Sequence, residues 1–393
     1  RQTPGLFPLR KHDRGEYIFH DPNFDPTTLS EAPELDEASN PYRGLKPFEE
    51  QHARFFFGRQ ELIKQLYARI AAPDHLLTVV LGISGSGKSS LVKAGLIPYL
   101  RNDKTHQWQI LPPMRPGESP FASLARILLA IALRATKSFA DTPVSPQLNQ
   151  IDFLTERLQG KHKQLNAEIN QTASQGKENS SRAKQLQRES ETLTQIIADW
   201  HDASPLVRQR SLVEHFEVLY ALCQTEEQES EQQRQLKQTF LDCLAPLNQQ
   251  LQADPGSLVA IAHTWAEKHP DTRLLLVIDQ FEELITLGRT AQQDAQREQP
   301  EEWQQFLSLL ETTLAANLPQ LRIIVTLRSD FEPRFLSSEA LKPYWSKARF
   351  PVRAMRSDEL RQAIEGPASE MALYFEPANL VDRLTDEVGQ MPG

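Results

Sequence analysis

Residues Gly82-Ile83-Ser84-Gly85-Ser86-Gly87-Lys88-Ser89 follow the pattern G-x-x-x-x-G-K-[ST]. Glycines at this spacing let a loop close into a nest of backbone N–H groups that binds phosphate oxygens. A helix starting directly after the loop adds the partial positive charge of its N-terminus. In such a loop Lys88 reaches the β- and γ-phosphates of a nucleotide, and the Ser89 hydroxyl ligates Mg²⁺. The flanks agree with the motif. Leu76-Leu77-Thr78-Val79-Val80-Leu81 is a continuous apolar run suited to a strand buried on both faces, and a helix is predicted from about Lys88 to Leu96.

A second apolar run, Leu274 to Ile278, ends in Asp279. A carboxylate at the end of a buried strand beside a phosphate loop can hold the hydration shell of Mg²⁺. The residue after it is Gln280 rather than an acid, so the candidates for a carboxylate that polarises an attacking water are Glu282 and Glu283; the other reading of this pair is a solvated first helical turn, where Glu is favoured by the helix dipole. A third run, Ile323 to Leu327, is followed by Arg328, whose guanidinium can sense a γ-phosphate or pair with Asp330.

The elements that must position these residues alternate between strand and helix, the pattern of a helix-covered parallel sheet. Leu62, Ile63, Leu66, Tyr67 and Ile70 predict a helix over 60–72, closed by Pro73. Further strands are expected at Trp108 to Leu111 and Arg349 to Arg353, and a helix from Ser119 to Ala135. Two helices, Asp358 to Ile364 and Ala378 to Val388, close the chain. Trp303, Phe306 and Leu310 have the spacing of a core-facing helix.

Between Thr136 and Asp254 the composition turns to Gln, Glu, Lys and Ser. Leu154, Leu158, Leu165 and Ile169 on one side of a polar turn, and Leu186, Leu193 and Ile197 on the other, predict an antiparallel helical hairpin. A further helix is expected from Ser204-Pro205, with Leu212, Phe216, Leu219 and Cys223 on one face. Residues 21–40, dotted with Pro and acids, read as an extended linker.

The chain has 393 residues, 39% hydrophobic and 24% charged, enough apolar material for a sizeable core. Its net charge of -9 argues against a sequence-independent grip on nucleic acid. Two cysteines, Cys223 and Cys243, exclude a disulfide framework and fit a cytoplasmic location. No apolar stretch is long enough to span a bilayer, and the scattered histidines offer no metal site beyond Mg²⁺. There is no Asn-Lys-x-Asp motif of a GTPase and no Leu-Ser-Gly-Gly-Gln signature of a transporter ATPase. A start at Arg1 and an end at Gly393 are read as cuts from a longer protein.

Five segments together resemble the bacterial STAND ATPases, AAA+-related signalling switches, and within them the novel-STAND branch. They are Asn40-Pro41-Tyr42-Arg43-Gly44-Leu45, Phe56-Phe57-Gly58-Arg59, the P-loop continuing through Ser90-Leu91-Val92-Lys93-Ala94-Gly95-Leu96, Asp279-Gln280-Phe281-Glu282-Glu283-Leu284, and Thr326-Leu327-Arg328-Ser329-Asp330-Phe331. Apart from the long helical insertion read at about 136–254, the resemblance implies an α/β P-loop NTPase of the ASCE/AAA+-like type with sheet order 5-1-4-3-2 and a helical lid, partial here over 357–393. The NTPase domain would span 58–356, preceded by a linker and N-terminal family motif over 21–57.

The resemblance further implies ATP or ADP with Mg²⁺, bound by Gly82, Ser84, Gly85, Ser86, Gly87, Lys88, Ser89 and Ser90. Arg59 would lie near the adenine or ribose, Arg328 would be the sensor arginine, and Pro392 the lid proline on the base. Residues 1–20 resemble the tail of a caspase-like peptidase domain, with no catalytic His/Cys pair in this chain. The expected activity is a slow, regulated ATPase that couples nucleotide state to self-association and to effector and sensor domains outside this chain. The alternatives are a nucleotide-stabilised scaffold without turnover and a nucleic-acid-dependent ATPase.

Overall fold

The computed structural model describes residues 40–44, 46–135, 152–174, 181–201, 244–286, 301–336, 341–371, 375 and 379–390. The peptidase-like tail, residues 21–39 of the expected linker, the helix expected from Ser204 and the expected lid proline Pro392 lie outside the described residues. The described residues within 1–113, 275–282 and 322–393 form one compact unit, and those within 114–274 and 283–321 form a second.

The first unit holds β1 (Leu77–Gly82), β2 (Gln107–Ile110), β5 (Arg349–Pro351) and the greater part of β3 (Thr272–Ile278) and β4 (Leu321–Arg328), strands of a five-stranded parallel sheet. Its order is β2-β3-β4-β1-β5, or β5-β1-β4-β3-β2 from the other edge. All six residues of β1 are buried, as its unbroken apolar run requires. β1 pairs with β4 on one side and β5 on the other, and the register sets Gly82 opposite Arg328. The carboxyl ends of β1 and β4 are therefore level, where an open α/β sheet presents its ligand crevice.

Helix α1 (Gln60–Ala71) buries Leu62, Ile63, Leu66 and Ile70. Leu62, Leu66 and Ile70 join Val80 of β1, Leu275 and Val277 of β3 and Ile324 of β4 in one core cluster. Arg322 is 2% exposed, and its guanidinium donates to the carbonyls of Ile70 and Ala72, satisfying orphan acceptors at the end of α1.

Helix α2 follows the P-loop and runs past the predicted end at Leu96. It is α-helical over Lys88–Ser90, π-helical over Leu91–Leu96 and α-helical again over Ile97–Arg101. Pro98 falls just after the π-helical turn of this continuous helix and does not stop it. The penultimate helix also outlasts its prediction, reaching Glu370 rather than Ile364. Gly366 packs on the Phe57 ring and Pro367 is buried, so tertiary packing carries the helix through a breaker pair. The last helix is Leu380–Gln390.

In the second unit, the helices Pro120–Ala135, Ser257–Lys268 and Glu301–Ala315 pack together. Phe121 meets Phe306 edge-on at 5.4 Å, and Trp303, Phe306 and Leu310 are buried. Helices Asp152–Ser174 and Ser181–His201 form the expected hairpin. Asn166 accepts from Ser190 at 2.8 Å and His162 meets Thr194 at 3.0 Å, pairings that run in opposite directions along the two helices. Leu158, Leu165, Leu186 and Leu193 line the seam as predicted. Ile196 is fully buried beyond Leu193 and Ile197 beside it is partly buried, three and four residues on along one helical face.

Candidate functional site

The phosphate-loop motif leaves β1 at Gly82 and enters α2 at Lys88. Gly85 and Gly87 have φ of 79° and 84°, the left-handed region in which residues with a side chain are strained. A Cβ on either would meet nothing within 4 Å, so the requirement at both is conformational rather than spatial. Lys88 donates to the carbonyls of Gly82 at 2.9 Å and Ile83 at 2.8 Å. Burial pushes the Lys88 ammonium down from the ordinary lysine range, with Glu282 the leading charge opposing that shift.

Asp279 follows the last residue of β3 and is 1% exposed. One of its oxygens, Oδ1, accepts from the hydroxyls of Ser89 and Thr326, each at 2.6 Å. The other, Oδ2, lies 3.0 Å from the Lys93 ammonium. Burial alone would raise the Asp279 carboxyl. Lys93 and the two hydroxyls outweigh burial and hold it below the usual carboxylate range. An ionised carboxylate beside a serine hydroxyl is a hard oxygen donor pair, the chemistry that suits Mg²⁺. Ser89 and Asp279 thus fit the metal that the P-loop pattern calls for.

At Gln280 the chain turns through a left-handed residue, φ 56°, whose N–H donates to Thr326 Oγ1 at 2.9 Å. The N–H of Phe281 then donates to the Thr326 carbonyl, and Phe281 stacks on Phe335, which stacks on Trp345. This anchored turn brings Glu282 back to the end of β4, where its carboxylate accepts the Arg328 N–H at 3.3 Å. Glu282 is nearly buried, and burial pushes its carboxyl above the usual range despite the opposing N–H groups and Lys88. Glu283 lies in the second unit, where its carboxylate accepts the Gly117 N–H.

The structure gives Arg328 a near partner. Its guanidinium binds Asp330 through two contacts, 3.1 and 2.7 Å, and lies over the Phe331 ring. Arg59 is 5% exposed and donates to the Arg353 carbonyl at 2.9 Å and, at the long limit of 3.5 Å, to the Ser86 carbonyl. Ser90 accepts the N–H of Phe48, and Ser84 is exposed.

Thr326, Lys93 and Glu49 were given no role by sequence. The signal was present in part: Thr326 is the polar residue within Ile323-Ile324-Val325-Thr326-Leu327, and Lys93 follows Ser89 by four positions on α2. Glu49 carried no such pattern, and only the fold brings it to Lys93 at 3.3 Å.

Among the described residues no group of three or more His, Cys, Asp or Glu side chains is arranged to hold a metal, and no helix is long and apolar enough to cross a membrane. No curated protein and no solved structure matches the chain. The family model described as Novel STAND NTPase 1 matches residues 41–252 and 232–393, covering the phosphate loop, Asp279 and the Arg328 strand, and the chain belongs to that family of nucleotide-binding NTPases.

Proposed function

We propose that this chain is the ATP-binding, ATP-hydrolysing core of a STAND-type switch, in which the state of the nucleotide governs self-association and an attached effector. The observation that carries the reading is the 2.6 Å hydrogen bond from Ser89 to Asp279, which joins the phosphate loop to the strand-end carboxylate. Ser89 and Asp279 would hold Mg²⁺, which when bound supplies charge neutralisation at the β- and γ-phosphate oxygens. Lys88 exchanges its two loop carbonyls for phosphate oxygens. Glu282 accepts a proton from the attacking water, and the burial that raises its pKa makes it a stronger base than an exposed carboxylate. Arg328 stabilises the γ-phosphate after exchanging Asp330 for it.

Two observations favour an alternative, a nucleotide-stabilised scaffold without turnover. Gln280 stands where an acid would directly follow Asp279, and Arg328 is engaged by Asp330. Single-turnover measurement with labelled ATP separates the readings. Conversion to ADP by the parent chain, abolished in Lys88→Ala and slowed in Arg328→Gln, supports the switch. Tight retention of ATP without conversion supports the scaffold. Sedimentation with ADP or a non-hydrolysed ATP analogue tests self-association: the switch assembles in one state only, and equal sedimentation in both removes that part of the reading.

A further inference from the structure

Lys93 stands four residues after Ser89 on α2, so both project from one face of the helix. Ser89 binds one oxygen of Asp279 and Lys93 the other, at 2.6 and 3.0 Å. The Lys93 side chain is only 10% exposed and lies within the π-helical turn, an uncommon widening of a helix that recurs at functional sites. Its ammonium also meets Glu49, 3.3 Å away and 42% exposed. One buried cation is therefore shared between a buried carboxylate and a partly solvated one.

We infer that Lys93 is a built-in counter-cation of Asp279 that sets how tightly the site takes a divalent metal, and that Glu49 draws the ammonium away when metal binds. The inference rests on the ATP and Mg²⁺ reading above and extends it to regulation of the metal site. A carboxylate already neutralised by an ammonium attracts a divalent cation far less than a bare one. Within a few ångströms, and at the effective dielectric of a partly buried site, one unit charge changes ionic affinity by about tenfold or more. Lys93 also offers no lone pair while protonated, so it competes with the metal rather than ligating it. Glu49 precedes the 3-10 turn Glu50–Phe55, in the stretch between the family segments at Asn40 and Phe56. Movement of that stretch would therefore act on metal affinity through Lys93.

The test uses the full chain with saturating ADP and Mn²⁺ as the metal probe, free Mn²⁺ being read by electron paramagnetic resonance. Lys93→Met is expected to bind Mn²⁺ about tenfold more tightly than the parent. Glu49→Gln is expected to bind it more weakly in the parent background and to have no effect in the Lys93→Met background, because the effect of Glu49 passes through Lys93. Should Lys93→Met not fold, Lys93→Gln, which keeps a donor for Asp279, carries the same expectation. A purely structural ion pair would instead lower the midpoint of thermal unfolding and leave Mn²⁺ affinity unchanged or weaker, and that result overturns the inference while the nucleotide reading stands. Glu49→Gln weakening Mn²⁺ equally in both backgrounds removes the part played by Glu49. Absence of Mn²⁺ binding by the parent, and by Ser89→Ala alike, overturns both readings.

Discussion

The hydroxyl of Ser89 donates to the carboxylate of Asp279 at 2.6 Å across 190 positions of sequence. The same oxygen accepts from Thr326, so the phosphate loop, the end of β3 and the end of β4 converge on a single acceptor atom. A buried carboxylate needs such donors to stay ionised, because burial by itself favours the neutral acid.

Thr326→Val removes one of those donors and keeps the side-chain volume. The expected loss is about 2 kcal/mol of unfolding free energy, as for a hydrogen bond to a buried charged group. Nucleotide affinity in Mg²⁺ falls with it, since the Gln280 turn loses its anchor on the same hydroxyl. Thr326→Ser restores both. Urea unfolding and titration with a fluorescent nucleotide measure the two effects, and a fully stable Thr326→Val protein would show that the hydroxyl is dispensable.

Glu282→Gln is expected to slow single-turnover hydrolysis by about 10²- to 10⁴-fold, the usual contribution of a general base, while nucleotide binding persists. Glu283→Gln keeps an acceptor for the Gly117 N–H and leaves the rate unchanged. The pH dependence follows from the raised pKa of Glu282. The base works only when deprotonated, so the rate climbs as pH rises through a value above the usual glutamate range. Glu282→Gln flattens that limb. A profile unaltered by Glu282→Gln would assign the base elsewhere.

Much of this site was legible because its chemistry depends on local spacing. The Gly82–Ser89 loop, the apolar runs ending at Asp279 and Arg328, and the helical period of α1 are all written within single segments. The contacts that complete the site are not. Lys93 meets Glu49 only through the tertiary fold, and Thr326 meets Gln280 only once β3 and β4 lie side by side. Which of Glu282 and Glu283 turns back was set by a left-handed residue at Gln280, a conformation that glutamine does not advertise. Helix ends were missed where packing overrode a breaker: Pro98 falls just after a π-helical turn, and Gly366-Pro367 is clamped by Phe57.

Gly58 holds the N-terminal family segment against the penultimate helix. Its φ is 79°, and a Cβ there would stand 2.3 Å from the Glu359 carbonyl oxygen, a backbone atom that cannot swing aside. Gly58→Ala is expected to destabilise by more than about 2 kcal/mol, combining left-handed strain with the clash. The denaturant midpoint should fall with the slope unchanged. An unaltered midpoint would mean that the helix shifts freely.

Glu359 supplies the acid dependence of the same region. Its carboxylate takes two contacts of 2.6 Å from Arg353 and one from the Arg356 N–H at 2.9 Å. Arg353 chiefly, against the opposing effect of burial, pulls the Glu359 pKa down from 4.5 to about 2. A carboxyl whose pKa is depressed by folding stabilises the fold fully above its unfolded value and loses that contribution as pH falls toward the folded value. The window is therefore pH 4.5 down to about 2. Arg353 is partly exposed, so solvent and salt screen the pair and the effect shrinks at high ionic strength. Arg353→Gln should be less stable than the parent at pH 6, with the gap closing as acid protonates Glu359. Denaturation curves between pH 6 and 3 at low and high salt measure it, and a gap that stays constant with pH would place the loss in side-chain packing rather than in charge.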